Sequence, residues 1–161
     1  MSDSLETIAT VVMITGSALL AGITFFYSNT LMPALAQRPV TEAIALIQRT
    51  NVVILNPVFG LVFGGSSLLS LGLTVSTLFR LDRPASGLLL AASIVYFVGM
   101  FVVTMAANVP LNDELAAVDP ESAAGAEVWE RYRTRWIPWN NVRVLSSTAS
   151  VVLFALYLIR R

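Results

Sequence analysis

Two short stretches carry most of the side chains able to do chemistry. In NVPLND, Asn108, Asn112 and Asp113 surround Pro110, and in WIPWNNVR, Asn140 and Arg143 follow Trp136 and Trp139. A guanidinium at the start of an apolar run needs a carboxylate, a set of carbonyls or an anionic ligand, or it snorkels to water at moderate cost. Asp113 and Glu114 are the nearest acids. If they pair with Arg143 they pin two segments together; if a ligand oxygen intervenes, Arg143 becomes an anion stabiliser. Trp129, Tyr132 and Trp136 recur at i, i+3 and i+7, which gives either an interfacial aromatic belt or a wall for a flat ligand.

The elements that must position these groups are apolar. Of 161 residues, 56% are hydrophobic and 12% charged, and the mean hydropathy is +0.75. A soluble domain carries roughly a quarter charged residues, so the composition is that of an integral membrane protein. Four runs approach the roughly 20 residues needed to cross a bilayer: Ile8 to Asn29, Pro57 to Phe79, Ser86 to Ala107 and Val142 to Ile159. The first three contain no Asp, Glu, Lys or Arg, and the fourth begins beside Arg143. The acidic start MSDSLET and the length of the first run argue for a retained span rather than a signal peptide. Residues 1–161 are expected to form one multi-pass membrane domain, in the cell membrane if the source is bacterial.

Charge and residue absences narrow the chemistry. Net charge is zero and all ten basic residues are Arg, with no cluster suited to nucleic acid. Cys and His are both missing. That removes disulfides, thiolate or imidazole metal ligands, a haem axial histidine, and any Ser/His or Cys/His nucleophile pair. No metal and no cofactor is expected. Mid-membrane ionisable groups and broken helices in related halves are also missing, which argues against a transporter.

Four crossings place both termini and the tight RLDRPA turn on one side, and the two long connections on the other. In the first connection Thr41 is a candidate helix cap, and Ile44, Ile47 and Ile54 fall near one stripe, so VTEAIALIQRTNVVIL is expected as an interfacial amphipathic helix. In the second, Asp119, Pro120 and Glu121 read as a helix start, with Glu127 four residues before Arg131. The fold expected is all-α: a four-transmembrane-helix bundle with short interfacial helices in the two long connections. Gly60 and Gly64 form GxxxG, and Ser17/Ala21 and Ala18/Gly22 give a comparable small surface, suited to close packing within the bundle. A homo-oligomer or another membrane protein would use the same kind of face.

All nine side-chain amides fall on the side of the long connections, and several lie at helix mouths. Asn56 with Pro57 begins the second span, Asn108 with Pro110 ends the third, and Asn140, Asn141 and Arg143 begin the fourth. Proline suits a first turn or a helix end, and asparagine can bind the backbone groups it frees. For Gln37 and Asn51 an ordinary loop role suffices. Arg38, Arg49, Arg131, Arg133, Arg135 and Arg143 outnumber Arg80, Arg83, Arg160 and Arg161, which favours the long connections facing the cytoplasm.

These residues resemble the anthrone oxygenase-like family of small four-pass membrane proteins, along nearly the whole chain. NVPLND and WIPWNNVR carry the likeness most specifically, the latter matching W-x-x-W-N-x-x-R with Trp136, Trp139, Asn140 and Arg143. AGITFFYSNTLMPAL and IQRTNVVILNPVF add to it. The resemblance implies oxidation of a tricyclic anthrone to an anthraquinone by dioxygen, without metal or flavin. Such chemistry needs an acidic C–H removed and an enolate oxygen held by donors, for which Asn108, Asn112, Asn140 and Arg143 are the right kinds. Asp113 is the proton acceptor expected, with Tyr27 or Tyr132 behind it. Asn56, Trp136, Trp139 and Tyr27 are then expected to line the binding site. The expected partners are the lipid bilayer and a lipophilic small molecule. The competing reading is a non-enzymatic module that binds a lipophilic compound or serves a larger membrane complex.

Overall fold

Apolar runs in lipid must satisfy every backbone polar group internally, and helices do so segment by segment. The computed structural model describes residues 3–161, and they form five helices: α1 (Asp3–Leu35), α2 (Val40–Val53), α3 (Pro57–Leu78), α4 (Ser86–Ala116) and α5 (Ala123–Arg160). No strand occurs among the described residues. Four of the helices, all but α2, are long and apolar enough to cross a membrane.

The helices run further than the apolar stretches. At 1.5 Å per residue, the 38 residues of α5 reach about 57 Å, against roughly 30 Å of hydrocarbon. The 22 residues of α3 give about 33 Å and little more than span it. The ends of α1, α4 and α5 therefore project on one side, where α2 packs across them. Ala43, Ile44 and Ile47 of α2 are buried there against Val128, Trp129, Tyr132 and Trp136 of α5, with Tyr27, Met32, Leu35 and Leu115.

This cap corrects several sequence expectations. Pro110 does not end the third span, which continues to Ala116. The helix expected in the second connection is present but is continuous with the fourth span through Pro138. It starts at the Ser122 cap, whose hydroxyl accepts from the Gly125 N–H at 2.9 Å, rather than at Asp119–Glu121. Thr41 caps nothing: α2 begins after Pro39 with no side-chain cap. The Trp129, Tyr132 and Trp136 rings are buried, so they form no lipid-facing belt. They stack on one another with centroids 5.7 and 5.8 Å apart, because α2 covers the face that would otherwise meet lipid. Arg131 pairs with Glu114 of α4 rather than with Glu127.

Two of the spans widen locally. Tyr27–Leu31 in α1 and Thr104–Asn108 in α4 are π-helical, and each lies just before a proline, Pro33 and Pro110. A proline has no N–H and its ring crowds the carbonyl one turn back, so a wider turn upstream accommodates it while the helix continues. A third π segment is Phe97–Val102.

Within the membrane the helices meet through small residues, as expected where lipid supplies no hydrophobic drive between helices. A Cβ on Gly16 would collide with Ser66, and one on Gly99 with Ser146. Buried hydroxyls return to carbonyls of their own helix, as Thr10 to Glu6, Ser67 to Phe63 and Ser93 to Leu89. Gly60 and Gly64 pack against nothing: no atom lies within 4 Å of where their Cβ atoms would stand. GxxxG is therefore not a packing face of this bundle.

At the end opposite the cap, the buried Glu6 carboxylate accepts from the Tyr157 hydroxyl and lies 3.6 Å from Arg80. Asp3 and Arg83 pair at 3.3 Å. These contacts tie the start of α1 to the end of α5 and the α3–α4 turn.

Candidate functional site

Where the cap meets the bundle, a cavity of about 260 Å³ lies among all five helices. Its deep wall is built from α1, α4 and α5: Thr24, Tyr27, Asn108, Trp136, Asn140 and Arg143 are lining residues and all are buried. The volume is close to the low end of small-molecule pockets, roughly 300–1,000 Å³.

Helical spacing assembles this wall. On α5, Tyr132, Trp136, Asn140 and Arg143 recur at intervals of four, four and three, so they share the inward face. On α4, Asn108 and Asn112 are one turn apart and face α5. The Asn108 Nδ2 donates to the Trp136 carbonyl at 3.3 Å, and the Tyr132 hydroxyl donates to Asn112 Oδ1 at 3.0 Å. The Asn140 Nδ2 donates to the Thr24 carbonyl and to Ser28 Oγ, each at 2.7 Å, and bridges α5 to α1. Tyr27 lies beside Trp136, with ring centroids 5.8 Å apart and a 38° tilt.

These bonds fix which amide atoms face which way. A main-chain carbonyl can only accept, so the nitrogens of Asn108 and Asn140 are committed to Trp136 and Thr24. Their Oδ1 atoms are buried without a partner. As placed, Asn108 and Asn140 offer a ligand acceptors, not the donors expected from sequence. Asn112 is the reverse: its oxygen is taken by Tyr132, which leaves its N–H groups to donate.

Arg143 is the outlier. Its residue exposure is 8%, its Nε has no hydrogen-bond partner, and no ion pair reaches it among the described residues. The expected pairing with Asp113 or Glu114 does not form. Glu114 is held by Arg131, and Asp113 sits exposed at the outer part of the cavity wall, also without an ion pair. Burying an unpaired charge is costly; the guanidinium lines the cavity and can donate to an anionic or strongly polarised oxygen there. The Trp136 Nε1–H, also buried without a partner, is a second donor on the same wall.

Two expected wall residues are elsewhere. Asn56 is exposed and spends its Oδ1 on the Val58 and Phe59 N–H groups at 3.1 and 3.0 Å, as a helix cap. Trp139 is 47% exposed on the outer face of α5 and does not line the cavity. Conversely, Gln48, Asn51, Thr24, Phe59 and Thr104 line it without having been singled out. The available signal was the spacing of Gln48 and Asn51, nearly one turn apart on α2. Gln48 also locks α2 down, its Nε2 donating to the Leu115 and Val118 carbonyls at 2.8 and 2.9 Å.

A family model described as Anthrone oxygenase matches residues 56–153. That stretch takes in α3, α4 and most of α5, with Asn108, Asn112, Asp113, Trp136, Asn140 and Arg143, but leaves out the part of the wall that α1 and α2 supply. No curated protein and no solved structure matches the chain.

Proposed function

The chain belongs to the anthrone oxygenase family, and from that premise we propose that its cavity oxidises a flat, lipophilic aromatic molecule, anthrone- or quinone-like, with dioxygen and no cofactor, at one face of the membrane. The observation that carries this reading is the buried, unpaired Arg143 on a wall shared with aromatic rings. Tyr27 and Trp136 provide a ring face. Arg143, the Trp136 Nε1–H and the Asn112 amide provide donors to a ring oxygen as it becomes an enolate, and donors set in advance in a dry site can each be worth a few kcal/mol. The unpaired Oδ1 atoms of Asn108 and Asn140 suit ring hydroxyls, so a hydroxylated aromatic ketone fits best.

Asp113 takes the proton from the acidic methylene carbon and, being exposed, passes it on to water. The carbanion gives electrons to dioxygen, a C–O bond forms, and the resulting hydroperoxide loses water. The balance is one methylene plus one dioxygen giving one ring carbonyl and one water, with one oxygen atom in each product.

The test is dioxygen uptake by the purified protein with an anthrone. Arg143→Ala is expected to lower kcat at least about 100-fold, as loss of one oxyanion donor does elsewhere, with helicity unchanged by circular dichroism. Turnover equal to wild type in that variant would remove the proposed site. Rates that vanish on chelation and return with a divalent metal would overturn the cofactor-free part. The commitment of the Asn108 and Asn140 nitrogens to helix contacts favours a second reading, a binding module without turnover. Quenching of Trp136 by a polycyclic ligand without dioxygen uptake would select it.

A further inference from the structure

The cavity's mouth has two unlike edges. One is the end of α2 and its link to α3, where lining residues Val52 and Leu55 are 64% and 77% exposed. The other is the last turns of α4, where Asp113 and Ala116 line the cavity and are exposed. On either side of Asn56, further large aliphatic side chains face outward: Val53, Val58 and Leu61 are exposed as well. A run of large aliphatic side chains turned outward costs free energy in water and none in hydrocarbon.

The opposite edge and the flank each carry a charged residue. Arg49, one turn before Val53, is exposed, as is Asp113, and both suit the headgroup level. The first turns of α3 leave the gap open. Gly60 and Gly64 touch nothing on the side where a Cβ would stand. Contact with the bundle passes through Phe59, which lines the cavity and stacks on Phe63 at 5.6 Å, with Phe63 in turn 5.8 Å from Phe101. Of these rings Phe59 alone lines the cavity, and Phe63 and Phe101 back it.

We propose that the cavity opens sideways into the bilayer, at the boundary of headgroups and acyl chains, and that its ligand enters from the lipid between the α2–α3 link and the end of α4. Val52 and Leu55 are the threshold on the lipid side, and Asp113 stands on the watered side. The proposal rests on the reading of the cavity as a ligand site, and it adds the source of the ligand: a molecule dissolved in the membrane rather than in water. It also makes Leu55 a residue that governs access without touching the reacting atoms.

The chain has no cysteine, so single-cysteine nitroxide labels report cleanly. Leu55→Cys and Val52→Cys are labelled in nanodiscs, with Thr41→Cys on the cap as an exposed control. The expected result is stronger relaxation by dioxygen than by a water-soluble nickel chelate at positions 52 and 55, and the reverse at 41. Nickel accessibility at 55 matching that at 41 would overturn the proposal, because the threshold would then face water. A second arm follows binding of a polycyclic aromatic fluorophore by energy transfer from Trp136 in a Trp129→Phe, Trp139→Phe background. Adding protein-free lipid at constant total probe should slow binding in proportion to the fall in membrane mole fraction, and Leu55→Glu should slow it about tenfold while leaving helicity intact. A rate that ignores lipid dilution would also overturn the lateral route. If the probe fails to bind at all while the labels report lipid, the ligand site falls and the membrane-facing mouth stands.

Discussion

Asn140 and Arg143 lie one turn apart on α5, both buried, yet of the two only the Asn140 side chain is hydrogen-bonded to another helix. Asn140 has its nitrogen in two hydrogen bonds across to α1, and truncating it removes both. Asn140→Ala should lose about 1–3 kcal/mol, the net worth of two hydrogen bonds at about 0.5–1.5 kcal/mol each, read as a fall in Tm in detergent. Arg143 is stabilised by nothing described, so Arg143→Met, which keeps the volume and removes the charge, should leave Tm equal or higher while ligand-dependent quenching of Trp136 is lost. A large drop in Tm would mean that the guanidinium holds the bundle instead. Asp113→Asn should lower kcat with anthrone and leave KM nearly unchanged, since an exposed carboxamide of the same shape can contact ligand but cannot take its proton. At this scale the helix mouths point to Asn108, Asn140 and Arg143, while Asn112 enters with the NVPLND motif that carries the family resemblance. Asn56 and Trp139 lie off the wall, Asn56 because a residue at a mouth can face either way and Trp139 because a motif match does not fix the phase of the helix. Asn51 was passed over for the complementary reason: an amide in a connection looks like loop chemistry until α2 folds it over the cavity.

At the level of elements, what was legible was the apolar periodicity of the spans, and what was hidden was where they stop. Pro110 reads as a helix end because proline usually is one in water, whereas α4 carries helix through it, as α5 does through Pro138. In α4 the π turn over Thr104–Asn108 absorbs the geometry, and nothing in residue type announces such a turn. Glycine phase was equally silent. Gly99 sits against Ser146, whose own Cβ stands in the way of any added methyl, while Gly60 faces open space. Gly99→Ala should therefore lower Tm, by the roughly 1–3 kcal/mol typical of overpacking, and Ser146→Gly should restore it in the double variant. Gly60→Ala should be neutral or stabilising by up to about 1 kcal/mol, the helix-propensity gain. The Arg131–Glu114 pair joins α5 to α4, but both partners are 40% exposed, so Glu114→Gln should shift stability by less than about 1 kcal/mol. Gln48→Ala should do more, freeing α2 and raising hydrogen exchange across residues 40–53.

For the molecule as a whole, the division into a bundle and a cap explains why the cavity lies where it does. Three spans outrun the hydrocarbon and gather α2, and the chamber forms at the seam between the two halves. The far end is closed by Glu6, Tyr157 and Arg80, remote from the chamber, so Tyr157→Phe should cost stability and leave ligand binding unchanged. The odd member is α3, whose 22 residues only just match an average bilayer. Its neighbours have length to spare, and α3 alone must answer to the thickness of its surroundings, by tilting in thin membranes and by drawing polar ends inward in thick ones. Because its first turn adjoins Leu55, the proposed lateral opening predicts a dependence of its aperture on acyl-chain length: swapping short-chain for long-chain phospholipids should retune ligand uptake with no residue changed.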